Sequence, residues 1–237
     1  IGIAFLAFLS WFGLKAKMPD TKVSIRKQPL SHILYDFKQV YKNKRFLGMT
    51  LALPMVSMPL MLWIALSPVM LVEELGFSSM QYGLAQFPVL GGLILGNIVL
   101  IKIIDKLALG QSVLIGLPIM LLGSLVLVAG VIWQDYLIWC LIAGMTLLSF
   151  GEGISFSVLY RFALMSSEVS KGTVAAAVSM LLMFSFFFII ELVRVLYEQF
   201  HLIGYSVSCL VLIALWFTFP RAILKQVLQE RKQSGVF

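Results

Sequence analysis

The run QSVLIGLPIMLLGSLVLVAGVIW, residues 111–133, decides the class of fold. It carries no Asp, Glu, Lys or Arg, and the charge-free stretch around it extends over 107–134. Two further charge-free stretches cover 46–72 and 75–101. A helix needs about 20 mainly apolar residues to cross the hydrocarbon core of a bilayer. Each stretch is long enough, so the sequence predicts an integral membrane protein built from helices.

The composition supports this prediction. Of 237 residues, 60% are hydrophobic and 12% are charged, whereas a soluble domain carries about 25% charged residues. So few charges cannot cover a globule of this size with polar surface, which argues against a soluble protein. The two cysteines, Cys140 and Cys209, both stand in apolar runs. A thiol in such a run acts as a small apolar side chain, so no disulfide or metal framework is predicted.

The pattern of apolar runs divides the chain into four parts. Residues 1–14 read as the end of a preceding transmembrane helix, and 15–45 as a basic cytoplasmic linker. Residues 46–220 form a six-helix bundle, and 221–237 form a basic cytoplasmic tail. The six full spans are expected at about 46–72, 80–101, 111–133, 136–160, 172–197 and 202–220.

The distribution of basic residues predicts the orientation. Lys and Arg accumulate on the cytoplasmic side of bacterial membrane proteins. If the linker is cytoplasmic, 17 of the 18 basic residues lie on that side, and Arg194 is the exception. The outer connection carries Glu73 and Glu74 instead. The net charge of +7 is then explained by topology, and no nucleic-acid partner is expected.

The linker contains one helical pattern of its own, in PLSHILYDFKQVYKNKRF at 29–46. Apolar residues recur on one face and charged residues on the other, as in an amphipathic helix. The apolar set is Ile33, Leu34, Phe37, Val40 and Tyr41. Such a helix is expected to lie on the inner membrane surface.

The six spans can be read as two units of three, and the first span of each unit is the most interrupted. The span at 46–72 contains Pro54, Pro59 and Pro68, and the span at 136–160 contains Gly144, Gly151 and Gly153. Broken helices at matching positions of two repeats are typical of secondary transporters. Proline and glycine are also common in membrane helices generally, and that explanation stays open.

Three segments resemble a known family. They are SMPLMLWIALSPVML at 57–71, YGLAQFPVLGGLILGN at 82–97 and MSSEVSKGTVAAAVSML at 165–181. With the long basic linker and six spans, they resemble the carboxy-terminal half of bacterial multidrug efflux antiporters of the major facilitator superfamily. The likeness runs from about residue 30 to residue 197.

The resemblance implies an intact transporter of twelve helices in the bacterial inner membrane, with its carboxy terminus cytoplasmic. Two six-helix halves would enclose a central cavity, and the amino-terminal half would be the partner that this chain lacks. Transport would proceed by alternating access in a monomer. It would be driven by the proton gradient without a cofactor or a metal.

The resemblance also implies roles for two groups of residues. In IIDKLALG, residues 103–110, Asp105, Lys106 and Gly110 match the conformational gating loop of the family. In the first full span, Leu60, Met61 and Ile64 match the apolar wall that faces drugs. For each of these three, contact with lipid or a neighbouring helix is an equal alternative.

Glu152, in SFGEGISF at 149–156, is the first candidate for chemistry. At a rise of 1.5 Å per residue it lies roughly 25 Å from Asp135 and roughly 13 Å from Arg161, well inside the membrane. A charge there costs about 2.5–3.5 kcal/mol on insertion scales, so ionisable residues in spans are candidates for function. Proton or cation coupling is therefore predicted, with a protonated structural glutamate as the alternative. Its helix is expected to line a water-accessible cavity, and its flanking glycines to leave room around it.

Three further polar sites have weaker patterns. Glu191, Arg194 and Glu198 share one helix face, where mutual pairing is expected, and the resemblance keeps an outer gating role open for Glu191. Gln86 is expected to face the cavity and to give a ligand its polar contact. Asn97 is assigned to helix packing beside the GxxxG pair formed by residues 92 and 96.

Three functions compete. The first is proton-coupled export of lipophilic or cationic drugs, and the alternative is a major facilitator transporter for a defined solute such as a siderophore or metabolite. A defined solute needs several fixed polar groups to orient it, and the spans show few. The third, an intramembrane enzyme, is disfavoured because no HExxH or GxSxG stands in a span and His201 has no evident partner.

Overall fold

The structure is a computed structural model that describes residues 8, 10–13, 15, 30–107 and 110–218. The chain forms two compact units, Ile1–Ile33 and Leu34–Phe237. In the first unit the described residues 8, 10–13 and 15 are helical, and the ring centroids of Trp11 and Phe12 lie 5.0 Å apart. The rest of the predicted partial helix and the predicted tail at 221–237 lie outside the described residues.

Every regular element in the described part of the chain is helical. The helices are α1 (Leu30–Lys42), α2 (Lys44–Ser67), α3 (Ser79–Ile103), α4 (Gln111–Ile132), α5 (Leu137–Met165) and a final element, Lys171–Thr218. A π-helical turn, Pro68–Glu74, follows α2, and short 3-10 turns occupy Ile104–Lys106 and Gln134–Tyr136. The predicted alternation of long helices and short connections is confirmed.

Five of these helices are long and apolar enough to cross a membrane. The last covers 47 residues, and His201 breaks it with φ 50° and ψ −137°. A Cβ atom on Gly204 would lie 2.5 Å from the carbonyl oxygen of Leu196, although residues eight apart in a straight helix are separated by about 12 Å. The chain therefore turns back at His201. Its two arms, 171–200 and 202–218, are called α6 and α7 below.

Local sequence signals account for several helix ends. Asn43 caps α2, because its side-chain oxygen accepts hydrogen bonds from the backbone N–H groups of Arg45 (3.0 Å) and Phe46 (3.3 Å). Ser78 and Gln81 form a reciprocal capping box at the start of α3. Gly110 precedes α4 with φ 84°, a left-handed conformation that glycine adopts without steric cost.

Helix α5 packs against α4, α3 and α2, while α2 also packs against the α6–α7 pair. The core contains large side chains without exposed surface, among them Trp63, Met120, Leu127, Tyr205 and Trp216. The prediction that the first span of each unit is interrupted is wrong for α5, which is continuous over 29 residues. Its glycines serve packing, as described below. In α2 the helix passes Pro54 and Pro59 and changes to the π-helical turn at Pro68.

The apolar face of α1 packs partly on the bundle itself. Val40 is fully buried, Phe37 and Tyr41 pack against the core, and the ring of Tyr41 meets that of Phe46 edge to face at 6.1 Å. The expectation that this face lies on the membrane surface is therefore wrong for these three residues. A helix joined to α2 through one residue, Asn43, buries its apolar side most readily against the nearby bundle end.

Candidate functional site

Glu152 lies near the middle of α5 and is 6% exposed. At 3.6 residues per turn, the Glu152 side chain points about 140–160° around the helix axis from the side chains of Trp139, Phe150 and Ser157. Trp139 is 76% exposed, Ser157 is exposed and Phe150 is half-buried. The carboxyl group therefore points into the helical bundle, away from the exposed face of its own helix.

The two glycines beside Glu152 do not leave room around it, and that expectation is wrong. A Cβ atom on Gly151 would lie 2.8 Å from the carbonyl oxygen of Gly116 in α4. A Cβ atom on Gly153 would lie 2.5 Å from the carbonyl oxygen of Leu93 in α3. Successive helical residues point about 100° apart, so these glycines bring α4 and α3 onto two sides of α5. Glu152 lies between those two contacts.

The same contacts continue along α5. Gly123 of α4 and Gly144 of α5 face each other. A Cβ atom on Gly123 would lie 2.7 Å from the carbonyl oxygen of Gly144, and one on Gly144 would lie 2.8 Å from the carbonyl oxygen of Gly123. In α3, a Cβ on Gly92 would lie 2.5 Å from the carbonyl oxygen of Thr146, and Gly96 meets Gly153 and the backbone of residue 150. The predicted role of the Gly92–Gly96 pair in close helix packing is confirmed. We call these α3–α5 and α4–α5 contacts the glycine seams.

Two buried serines stand on the same side of α5 as Glu152. Ser149 and Ser155 lie three residues before and after it, and neither has exposed surface. Among the described residues, neither hydroxyl group has a hydrogen-bond partner. Helical residues three apart are neighbours on one face. The interior of the half thus holds one carboxyl group flanked by two hydroxyl groups with unused hydrogen-bonding capacity.

The three residues predicted to form an apolar wall that faces drugs differ in exposure. Leu60 is buried, Met61 is half-buried and Ile64 is 53% exposed. Ile64 and Ala65 of α2 are exposed, as are Pro68 and Val72 of the π-helical turn that follows. The roles of Leu60, Met61 and Ile64 in drug contact stay predictions.

Gln86 belongs to a polar cluster between α2 and α3. Its side-chain oxygen accepts a hydrogen bond from the indole Nε1–H of Trp63 at 2.7 Å. Its side-chain nitrogen donates to the Ser67 hydroxyl at 3.4 Å, which lies 3.3 Å from the Tyr82 hydroxyl. Gln86 is thereby held in place, and its predicted contact with a ligand stays a prediction. Trp63 itself packs between helices without exposed surface.

The end of the bundle near Glu74 and His201 carries two polar groups of residues. Arg194 forms an ion pair with Glu191, with N–O distances of 2.6 and 3.0 Å, and a second with Glu198. The predicted mutual pairing is confirmed, and the gating role of Glu191 stays a prediction. Nearby, the His201 Nδ1 lies 3.1 Å from an oxygen of Glu74. The expectation that His201 has no partner is wrong, because the fold joins residues that are 127 positions apart.

The connection between α3 and α4 contains the residues for which the resemblance implies a gating role. Asp105 and Lys106 are exposed in the 3-10 turn that follows α3, and Gly110 starts α4. One contact was missed by sequence reasoning: the Asn43 side-chain nitrogen donates to the backbone oxygen of Ser166 at 2.9 Å. A capping asparagine is a visible signal, but its second contact, 123 residues away, is not. Across the described residues no group of three His, Cys, Asp or Glu is placed to hold a metal ion.

Comparison with known proteins identifies the relatives of this chain. It is 70% identical over 231 residues to the chloramphenicol resistance protein CraA of Acinetobacter baumannii, covering 98% of this chain and 56% of that protein. It is 37% identical over 196 residues to the multidrug transporter MdfA of Yersinia pestis, covering 82% of this chain and 48% of that protein. For MdfA of Escherichia coli the identity is 38% over 184 residues, covering 77% and 45%.

No protein-family model matches the chain. The chain spans about half the length of the curated relatives it matches, which fits the expected carboxy-terminal half. These relatives are transporters or resistance proteins by name. Their identity over the helices that form the glycine seams, together with the helices long enough to span a membrane, leads to one assignment. The chain belongs to the MdfA-like multidrug efflux proteins of the major facilitator superfamily.

Proposed function

We propose that the chain is the carboxy-terminal six-helix half of a proton-coupled exporter of lipophilic or cationic drugs. The observation that carries the proposal is Glu152, which among the described residues is the one buried Asp, Glu, Lys or Arg and lies in a largely apolar interior. A group in such surroundings favours its neutral form and exchanges a proton when its surroundings change. The names of the relatives, which refer to chloramphenicol resistance and multidrug transport, support drugs as the cargo.

The proposed architecture counts the final 47-residue element as two spans, because about 70 Å of helix is more than twice the thickness of a hydrocarbon core. With α2 to α5 this gives six spans, preceded by the end of another at 1–14. In this proposal the linker is 15–45, the bundle 46–220 and the tail 221–237. The excess of basic residues in the linker and the tail supports the cytoplasmic side of the bacterial inner membrane for both. An amino-terminal half completes the monomeric transporter.

The proposed cycle uses three regions of this half. Glu152 takes up and releases the proton, and the proton gradient is the energy source in place of a cofactor. Leu60, Met61, Ile64 and Gln86 contact the drug. Asp105, Lys106 and Gly110 control the inner side, and the Glu191–Arg194 pair controls the outer side, because charge pairs at the ends of a bundle stabilise one state over the other.

The alternative, a transporter for a defined solute, has one observation in its favour. The cluster of Trp63, Gln86, Ser67 and Tyr82 presents hydrogen-bonding groups in fixed positions, and fixed polar groups orient a single substrate. Most of their hydrogen-bonding capacity is spent on one another. The multidrug function is therefore the stronger proposal.

The test uses the full-length protein in inverted membrane vesicles. Ethidium uptake is followed before and after collapse of the pH gradient, for wild type, Glu152→Gln and the matched control Glu168→Gln. Glu168 is an exposed carboxyl group in the loop between α5 and α6. We expect gradient-dependent uptake in wild type and the control, and loss of that uptake in Glu152→Gln.

Two other outcomes change the proposal. If Glu152→Gln transports as well as the wild type does, Glu152 is structural and coupling resides in the other half. If the folded wild type moves no ethidium, the defined-solute transporter replaces the drug exporter. Thermal unfolding of each variant in detergent separates a loss of transport from a loss of folding.

A further inference from the structure

Helix α1 has an outward face that the bundle does not cover. Leu34 is 69% exposed and Tyr35 is 58% exposed. Lys38 and Lys42 are exposed on the same side, since these four positions fall within about 100° of one another around the helix. We call this set the α1 outward face. It combines apolar side chains with cationic ones.

The depth of this face relative to the membrane follows from the short connection between α1 and α2. Lys42 ends α1, Asn43 caps the next helix, and Lys44 begins α2. The candidate membrane span begins at Lys44, and no charged residue follows Arg45 until residue 73, so we expect the span to enter the membrane within about one turn of Lys44. The carboxy-terminal end of α1 is therefore held at the level of the lipid headgroups. Exposed Leu and Tyr are stable at that level, where amphipathic side chains accumulate.

The charge of the face is of one sign. Lys38, Lys42 and the neighbouring Lys44 are all exposed. The single acidic residue of α1, Asp36, lies about 120° around the helix from Lys42. The Tyr41 phenol, whose ordinary pKa is about 10, is neutral near pH 7, and burial raises that pKa further, so that side chain adds no negative charge. Lysine stems can cover apolar surface while their ammonium groups reach outward to phosphate.

We propose that the α1 outward face binds anionic phospholipid of the inner leaflet. The ammonium groups of Lys38 and Lys42 contact lipid phosphate, and Leu34 and Tyr35 insert beside the headgroups. Each basic residue near an anionic surface contributes about 1 kcal/mol. Loss of both lysines therefore weakens anionic-lipid binding roughly thirtyfold. The lipid anchors the linker while α1 closes the inner end of the bundle.

The proposal rests on the orientation given under Proposed function, with the linker on the cytoplasmic side, and not on drug transport. It is tested with the full-length protein in vesicles of equal phosphatidylcholine and phosphatidylglycerol. Native mass spectrometry measures which lipid remains bound to wild type, to Lys38→Gln/Lys42→Gln and to the charge-conserving control Lys38→Arg/Lys42→Arg. We expect phosphatidylglycerol to be enriched on wild type and on the arginine control, and the enrichment to be lost in the glutamine variant.

A spin label at position 34 gives an independent readout. It is introduced as Leu34→Cys in a protein with Cys140 and Cys209 replaced by alanine. We expect the label to be relaxed by membrane-dissolved oxygen more strongly than by an aqueous nickel complex, and to be protected from an impermeant reductant outside whole cells.

Several outcomes overturn the proposal, and they differ in what else they overturn. Equal enrichment on the glutamine variant excludes the lysines as the lipid contacts. If the label lies on the cytoplasmic side but in water, the face does not insert into lipid, while the proposed orientation stands. Salt-sensitive binding of heparin to the α1 outward face would then indicate a soluble acidic macromolecule as its ligand. A label that reacts from outside the cell overturns the orientation together with the lipid contact.

Discussion

At the scale of single residues, two backbone conformations restrict the chain most. Gly110 adopts φ 84° at the start of α4. Among the described residues other than glycine, His201 alone has a positive φ, at 50°. A side chain in the left-handed region costs about 1–2 kcal/mol. Gly110 avoids that cost and His201 does not, so the turn between α6 and α7 carries backbone strain.

Gly110→Ala is expected to lower the free energy of unfolding by about 1–2 kcal/mol, because alanine would be forced into the left-handed region. Thermal unfolding in detergent measures the change. Gly172→Ala is the matched control, since a Cβ at residue 172 would meet open space. An equal effect of both substitutions would show that the conformation at 110 is not the cause.

At His201 we compare two small replacements. His201→Ala removes the contact with Glu74 and keeps the strain, whereas His201→Gly removes both. The glycine variant is therefore expected to be more stable than the alanine variant by about 1 kcal/mol. The chemical denaturation midpoints of the two proteins test this, and a more stable alanine variant would contradict the strained backbone.

At the scale of helices, the glycine seams decide how closely α3, α4 and α5 approach. Backbone atoms meet at Gly92, Gly96, Gly116, Gly123 and Gly144, and small residues at such contacts are what permits tight packing in membranes. At these five glycines a Cβ atom would lie 2.2–2.8 Å from an atom of the neighbouring helix, so the seams leave no room for a larger residue at those positions. The packing of Glu152 between two of them is a consequence of this spacing.

Two glycines of α3 provide a matched pair. A Cβ at Gly96 would clash with the backbone of α5, whereas one at Gly91 would meet nothing within 4 Å. Gly96→Ala is expected to destabilise the protein by about 1–3 kcal/mol through overpacking. Gly91→Ala should be neutral or stabilising by up to about 1 kcal/mol, since alanine favours helix. Thermal unfolding of both variants checks the contrast, and similar midpoints would exclude the seam as described.

At the scale of the whole molecule, contacts distant in sequence hold the two ends of the bundle. At one end Asn43 joins the start of α2 to the end of α5. At the other end His201, in the turn between α6 and α7, lies against Glu74. Both contacts use side chains at helix ends, where each can tie two elements without entering the apolar core.

The two roles of Asn43 can be separated by substitution. Asn43→Ser keeps a good capping residue and loses the reach to the backbone of Ser166, while Asn43→Ala loses both. We expect the alanine variant to lose about 1–2 kcal/mol more than the serine variant. Because serine loses the contact with the backbone of Ser166, we also expect Asn43→Ser to widen the distribution of distances between spin labels at positions 42 and 168. An unchanged distribution would show that the link to α5 is dispensable.

Much of the fold follows from local patterns. The charge-free runs place α2, α3 and α4 within a few residues, because a lipid-spanning helix must be apolar along its length. The Arg194 ion pairs also follow from helical spacing. Glu152 is conspicuous in the sequence, but its direction is not, since that depends on which helices its neighbouring glycines touch. The contacts of Asn43 and His201 escape prediction because each joins residues more than a hundred positions apart.

The glycine seams have a mechanical consequence. At these points backbone atoms of α5 meet α3 and α4 directly, so a rotation of α5, or a shift along its neighbours, would force backbone atoms into one another. We expect the three helices to move together, with Glu152 among them. Helix α2 has no such close backbone contacts where it ends, at the π-helical turn that begins at Pro68. Bending is therefore expected first in α2, and the proton that we propose for Glu152 would approach from that side.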